Sequence, residues 1–403
     1  MIKAIKLFIL AQVWVAQITS VAQVAQINQV VQATQESSVV VGAECTNEYF
    51  PLLAGKRVAV MSNHTGMVGD EHLVDFLKRS GINLTLVFAP EHGFRGDADA
   101  GEKVSDTTDP KTGIPIRSLY QSKTGKPSAE DMLLFDVLLF DIQDVGLRFY
   151  TYYISMIKLM DACAEHKKPM IVLDRPNPNG HYVDGPILDM KHKSGVGYLP
   201  IPVVHGMTLG ELALMINGEK WLSKLLICDL KVVKCKNYTH QTLYKLPVPP
   251  SPNLPNMKSI YLYPSICLFE GTPVSLGRGT TFPFQVYGHP QMKGCSFSFT
   301  PQSLPGAKNP PLLNKRSFGV DLRNLPDKEI FEKGLDLTYI IDAYNNLKMG
   351  NKFFTSFFEK LIGVDYVRTM IVNGKTADEI KLMWQDDVEK FKKQRKPYLL
   401  YRE

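Results

Sequence analysis

Apolar and polar positions along the chain alternate between two periods. RVAVMSN (57–63) is a short apolar run ending in polar residues, and HLVDFLKRS (72–80) follows with Leu73, Phe76 and Leu77 on one helical face. INLTLVFAP (82–90), DVLLFDIQD (136–144) and PMIVLDRPN (169–177) read as a second, third and fourth strand. Between the last two, TYYISMIKLMDACAEH (151–166) has helical spacing and is closed by Lys167-Lys168-Pro169. IPVVHG (201–206) reads as a fifth strand. Thr208 is then placed to cap the helix LGELALMINGE, with Glu211 at the capping-box position.

Near-continuous apolar strands alternating with helices predict a mostly parallel sheet covered on both faces. Residues 45–257 therefore read as a Rossmann-like, doubly wound α/β domain. Composition then shifts. LPVPPSPNLPNM (246–257) is too rich in proline for a helix or a central strand, and suits a linker or an extended wall of a cleft. Strand-like CSFSFTP and SFGVDL follow, then helix-like LTYIIDAYNNL, NKFFTSFFEKLIG and the run from Ala377. They predict a second, smaller α+β domain over 258–403.

The 403 residues are 44% hydrophobic and 21% charged, enough apolar matter for a proper core. The net charge of +6 is mild and no basic stripe accompanies it, so nucleic acid is not an expected partner. At the N-terminus, Lys3 and Lys6 precede the apolar LFILAQVWVA (7–16), and Ser20-Val21-Ala22 supplies small residues. This pattern predicts a bacterial signal peptide over 1–22, cleaved near Ala22, and a periplasmic or secreted product. Glutamines interrupt the run well short of the about 20 apolar residues a membrane span needs, so no integral membrane segment is expected after processing. Residues 23–44 begin glutamine-rich and read as a linker. Six cysteines at irregular spacing form no disulfide framework.

In open α/β sheets ligands bind beyond the carboxyl ends of the strands. The first exit carries Asn63, His64 and Thr65; the second carries Glu91, His92 and Arg95. The third carries Asp141, Gln143 and Asp144, with Arg148 and Tyr150 shortly after. The fourth carries Asp174, Arg175, Asn177 and Asn179, and the fifth carries His205. The chain has no GxGxxG or Walker loop after the first strand, no GxSxG elbow and no HExxH, so neither a nucleotide, a serine nucleophile of that type nor zinc is indicated. No cofactor and no metal are expected. Carboxylates among amides, histidines and tyrosines suit glycoside hydrolysis, in which one acid protonates the glycosidic oxygen and a second group attacks, activates water or steadies the cation. Glu91 ends a buried strand in VFAPEHGFRG, where desolvation would raise its pKa and keep it protonated as a general acid requires. His92 is its nearest support.

These residues stand in segments that resemble the exo-β-N-acetylmuramidases of the NamZ type, glycoside hydrolase family 171. The segments include GKRVAVMSNHTG (55–66), PEHGFRG (90–96), DVLLFDIQDVGLRFYTYY (136–153), VLDRPNPNG (172–180), PIPVVHGMTLGEL (200–212), PPSPNLPN (249–256) and YPSICLFEGTPVSLGRGTTFPF (263–284). The resemblance implies a Rossmann-like domain with an auxiliary C-terminal domain completing the cleft. It implies release of N-acetylmuramic acid from non-reducing ends of peptidoglycan-derived disaccharides or muropeptides. By the same resemblance Glu91 is the catalytic acid; on position in FDIQD, Asp141 or Asp144 is the candidate for the second group. The lactyl carboxylate of muramic acid calls for an arginine fork, and Arg95, Arg148, Arg175 and Arg278 can each supply one. A non-catalytic sugar-binding protein using the same cleft is the rival reading, and a sugar de-esterase or amidase is a third.

Overall fold

The computed structural model describes residues 38–90, 94, 106–119 and 124–403. Residues 41–403 pack as one compact unit. The expected signal peptide, and Glu91, His92 and Arg95 with it, lie outside the described residues.

The first half builds a seven-stranded sheet. Its strands are β1 (Val58–Ser62), β4 (Leu84–Ala89), β5 (Thr107–Thr108), β6 (Pro115–Ser118), β7 (Val137–Asp141), β8 (Met170–Leu173) and β9 (Leu230–Val233). A two-stranded ribbon, β2 (Met67–Val68) with β3 (Glu71–His72), follows β1. The sheet order is β5-β6-β4-β1-β7-β8-β9, and every pairing is parallel except β5 with β6. Val60 in β1 lies between Val87 of β4 and Leu139 of β7. Every residue of β1, β7 and β8 is buried, because helices cover both faces of a parallel sheet. The chain runs outward from β1 through β4 to β6, then returns to the other side of β1 at β7. That reversal places a crevice beyond the carboxyl ends of β1 and β7.

The expected helix over 151–166 is present as Tyr152–Glu165. Leu209–Gly218 starts as the capping box predicts: Glu211 N–H donates to Thr208 Oγ1 at 3.2 Å, and Thr208 N–H donates to Glu211 Oε2 at 2.9 Å. IPVVHG is not a sheet strand. Val204 forms only isolated bridges to Leu147 and Asp184. The run is apolar because it is buried beneath the strand-exit loops, and burial of a coil mimics burial of a strand in a short apolar run. The parallel strands passed over were β6 and β9, each four residues long and only partly buried. The linker expectation also extends too far. Val41–Ala43 is buried, and Gly42 N–H donates to Asp174 O at 2.8 Å. A side chain at Gly42 would meet Val233 O at 2.4 Å, so only glycine fits against the ends of β8 and β9.

The second half carries a three-stranded antiparallel sheet, β10 (Val286–His289), β12 (Ser317–Asp321) and β11 (Phe297–Phe299), in that order. Helices Met257–Ile266, Thr338–Leu347, Ser356–Ile362, Tyr366–Val372 and Ala377–Arg395 accompany it in this half. Asn256 caps the first of these through Ser259 N–H, which stops the proline-rich segment where a helix can begin. The six cysteines are free thiols and five are buried.

Arg148 joins the halves. Its Nη1 donates to the carbonyls of Pro186 and Ile201 at 2.7 and 2.8 Å, and its Nη2 to those of Leu361 and Ile362 at 3.0 and 2.7 Å. Burial pulls this guanidinium down to about 10. Arg148→Ala would strand four acceptors and leave a cavity, and a loss of at least about 3 kcal/mol is expected. Urea unfolding of Arg148→Ala beside Arg148→Lys checks this, with lysine recovering only part of the loss because it has no planar fork.

Candidate active site

The crevice at the β1/β7 reversal is organised by side chains from three strand exits. Asn63 is buried, and its Oδ1 accepts from Thr65 N–H at 3.0 Å and from Thr65 Oγ1 at 2.6 Å. Thr65 Oγ1 in turn accepts from Gln143 N–H at 3.0 Å, which ties the first exit to the third. Among the described residues Asn63 Nδ2 has no partner although it is buried. His72 binds Asn63 O through Nε2 at 2.9 Å, and Phe94 packs edge-on against the His72 ring at 4.9 Å. Phe94 itself therefore packs beside the exit of β1.

Two aspartates three residues apart are treated very differently. Asp141 accepts from Arg175 Nε at 2.5 Å and from Arg175 Nη2 at 2.9 Å, both groups being buried. Arg175 Nη2 also donates to Met67 O at 2.8 Å, so the pair joins the exits of β7 and β8 to the ribbon after β1. Among the described residues Asp144 has no cation beside it. Its Oδ1 accepts from Gly146 N–H at 2.7 Å, and among the described residues its buried Oδ2 has no partner. Burial pushes its carboxyl up to about 7, despite the opposing pull of the Gly146 and Val145 N–H groups.

Other expected site residues serve the scaffold. Asp174 accepts from Gly210 N–H, Thr208 Oγ1 and Tyr401 O–H at 2.8, 2.6 and 2.7 Å, and burial raises it to about 6. Asn177 accepts from Asn179 N–H and donates to Met207 O; Asn179 donates to Val145 O. Gln143 Nε2 donates to Asp144 O and Pro176 O. His205 leaves no sheet strand; its Nδ1 accepts from Met207 N–H at 3.2 Å, and burial beside Arg395 drives it down to about 3. It is a neutral imidazole at physiological pH. The Arg148 guanidinium is occupied by carbonyls and that of Arg175 by Asp141 and Met67 O, so neither presents its fork to a ligand. His64 and Tyr150 hold the proline-rich segment through the carbonyls of Pro249 and Pro250, at 2.9 and 2.8 Å.

Beside this crevice lies a cavity of about 210 Å³. The stretch Phe149–Tyr152 after β7 forms one wall, Ser251 and Asn253 another, and Tyr263, Glu270, Arg278 and Phe284 close it from the second half. Arg278 was expected from sequence; Glu270 was not. Both lie in the glycine-rich FEGTPVSLGRG, eight residues apart, and only the fold reveals that they pair.

Residues 58–258 match the N-terminal, and residues 261–401 the C-terminal, family model of exo-β-N-acetylmuramidase NamZ. The chain belongs to the NamZ family. It is 41% identical over 374 residues to the peptidoglycan β-N-acetylmuramidase NamZ of Bacillus subtilis (strain 168), covering 88% of this chain and 89% of that protein. Two crystal structures of DUF1343 family proteins from Bacteroides fragilis NCTC 9343 share the fold. One is 66% identical with a TM-score of 0.86, covering 91% of this chain and all of the other. The second is 28% identical with a TM-score of 0.77, covering 90% and 99%.

Within this NamZ-family crevice Asp144 has a testable signature. Its folded pKa of about 7 exceeds the ordinary carboxyl value. Its contribution to stability is therefore full at low pH and is lost as pH rises from about 4 to about 7. Asp144→Asn keeps an acceptor for Gly146 N–H and removes the titration. The variant should be more stable than the wild type above pH 7, with the advantage vanishing near pH 4, as read by denaturation midpoints across that range.

Proposed function

We propose that the protein is an exo-acting glycosidase that releases N-acetylmuramic acid from non-reducing ends of peptidoglycan fragments. The observation that carries this reading is a buried carboxyl, Asp144, with an unpartnered oxygen at the reversal crevice of a NamZ-family fold. Glu91, next in sequence to the buried Pro90 at the end of β4, acts as general acid. It gives its proton to the glycosidic oxygen as the C1–O bond breaks and positive charge spreads over C1 and the ring oxygen. Asp144 is the second group, orienting the 2-acetamido group or drawing the proton from the attacking water. Asp141, with both oxygens engaged by Arg175, positions the loop and does not touch the sugar.

In this reading residues 45–257 form the catalytic domain and 258–403 the auxiliary domain that completes the cleft. Peptidoglycan-derived disaccharides or muropeptides are the substrates, met in the periplasm or outside the cell after removal of residues 1–22. Among the described residues no helix is long and apolar enough to cross a membrane.

The test is hydrolysis of a chromogenic β-N-acetylmuraminide beside the matching N-acetylglucosaminide, for wild type, Glu91→Gln and Asp144→Asn. Turnover of the muraminide alone is expected, with kcat reduced at least about 100-fold in each variant. Tight sugar binding by wild type without turnover would overturn the enzyme and leave the binding protein.

A further inference from the structure

The cavity between the halves contains a guanidinium with a vacant edge. Arg278 Nε and Nη2 both donate to the same oxygen of Glu270, Oε1, at 3.0 and 2.6 Å. Glu270 thus occupies the side face of the fork. The end face, formed by Nη1 and the second hydrogen of Nη2, makes no hydrogen bond to any described residue. The guanidinium also lies over the Phe284 ring at 5.0 Å, which with Glu270 fixes its plane. Both members of the pair are about one quarter exposed, and both line the cavity. An arginine held this way is prearranged for a planar, two-oxygen anion at its open end.

We propose that Arg278 reads the lactyl carboxylate of the substrate, with Glu270 as its positioning residue; this rests on the muramidase reading above. N-acetylmuramic acid differs from N-acetylglucosamine by that one ether-linked acid arm, so the group that binds it sets the specificity. Of the arginines the sequence offered, Arg148 is occupied by four carbonyls and Arg175 by Asp141 and Met67 O. Arg278, by contrast, lines the cavity. The walls suit the rest of the arm and its ring. Tyr263 and Phe284 give apolar faces, and Ser251 and Asn253 give polar edges. Glu270 adds selectivity of its own. It offsets the charge of Arg278, so a bare anion gains little there, whereas a carboxylate delivered on a sugar is held by the fork's geometry.

The experiment compares a chromogenic β-N-acetylmuraminide as the free acid and as its lactyl methyl ester, in wild type, Arg278→Gln and Arg278→Lys. Wild type should prefer the free acid by at least about 50-fold in kcat/KM. Arg278→Gln should lower the free-acid value to that of the ester while changing the ester value less than about threefold, and Arg278→Lys should fall between. Equal loss on both substrates would make Arg278 a structural residue of the cavity and overturn the proposal. Retained preference in Arg278→Gln would also overturn it, by placing the reader elsewhere. Turnover of neither substrate by wild type would overturn the glycosidase reading alone. Calorimetric titration with N-acetylmuramic acid and its methyl ester then decides: acid binding lost in a variant of unchanged thermal midpoint supports Arg278, and acid binding retained refutes it.

Discussion

The bidentate contact between Asp141 and Arg175 holds the crevice in shape. It connects the ends of β7 and β8, and through Met67 O it reaches the ribbon that follows β1. Three strand exits at the sheet's reversal are thereby fixed by one guanidinium. A buried pair of this kind gains little net stability, since desolvation offsets most of the attraction, yet removing one partner costs about 3–5 kcal/mol. Its value here is positional. Gly66 belongs to the same arrangement: a side chain there would meet Ser62 Oγ at 2.1 Å and Asp141 Oδ2 at 3.0 Å. The turn out of β1 must be bare for the carboxylate to lie against it.

With Asp141 neutralised by Arg175, Asp144 can differ from it. Two carboxylates on one loop would ordinarily share a field. Here one is held by a cation, and the other is buried against the backbone N–H groups of Gly146 and Val145 with, among the described residues, no cation beside it. The far side of β8 repeats the logic without a cation. Asp174 is satisfied by two hydroxyls and by the N–H groups of Arg175 and Gly210, one hydroxyl coming from Tyr401 near the C-terminus. Glu211, which caps its helix, also accepts from His240 Nε2 and from the N–H groups of Leu400 and Tyr401. The chain's last residues are therefore built into the support of β8, behind the crevice.

The sheet was legible because its central strands are continuous apolar runs, and the strand exits were legible because polar residues follow each run abruptly. Functional and structural polar residues could not be separated in the same way. Arg148, Arg175 and Asn177 have the sequence look of ligand contacts, but their partners are groups of the fold itself, most of them backbone and as far as 214 positions away. A sequence displays which groups exist and hides which are already satisfied. His205 failed for a related reason, since an apolar coil buried under loops has the same local pattern as a strand. Glu270 was passed over because its meaning depends on Arg278, and the two meet only when the glycine-rich loop folds back.

The proline-rich segment shows how composition becomes a wall. Pro249 and Pro250 have no N–H to satisfy, so each can sit over the crevice with only an acceptor to place. Those acceptors meet His64 from the first strand exit and Tyr150 from the third. Three residues after Pro250, Asn253 Nδ2 donates to Gly306 O, and Asn256 starts the first helix of the second half. One stretch of about eight residues thus contacts both strand exits, lines the cavity and launches the auxiliary domain. Prolines restrict its backbone before folding, so little conformational entropy is lost when it docks. A flexible, donor-rich linker would need partners for every N–H and would leave the distance between the crevice and Arg278 loosely set. In the proposed reading, the restricted backbone of this segment is what lets a site divided between two halves act as one.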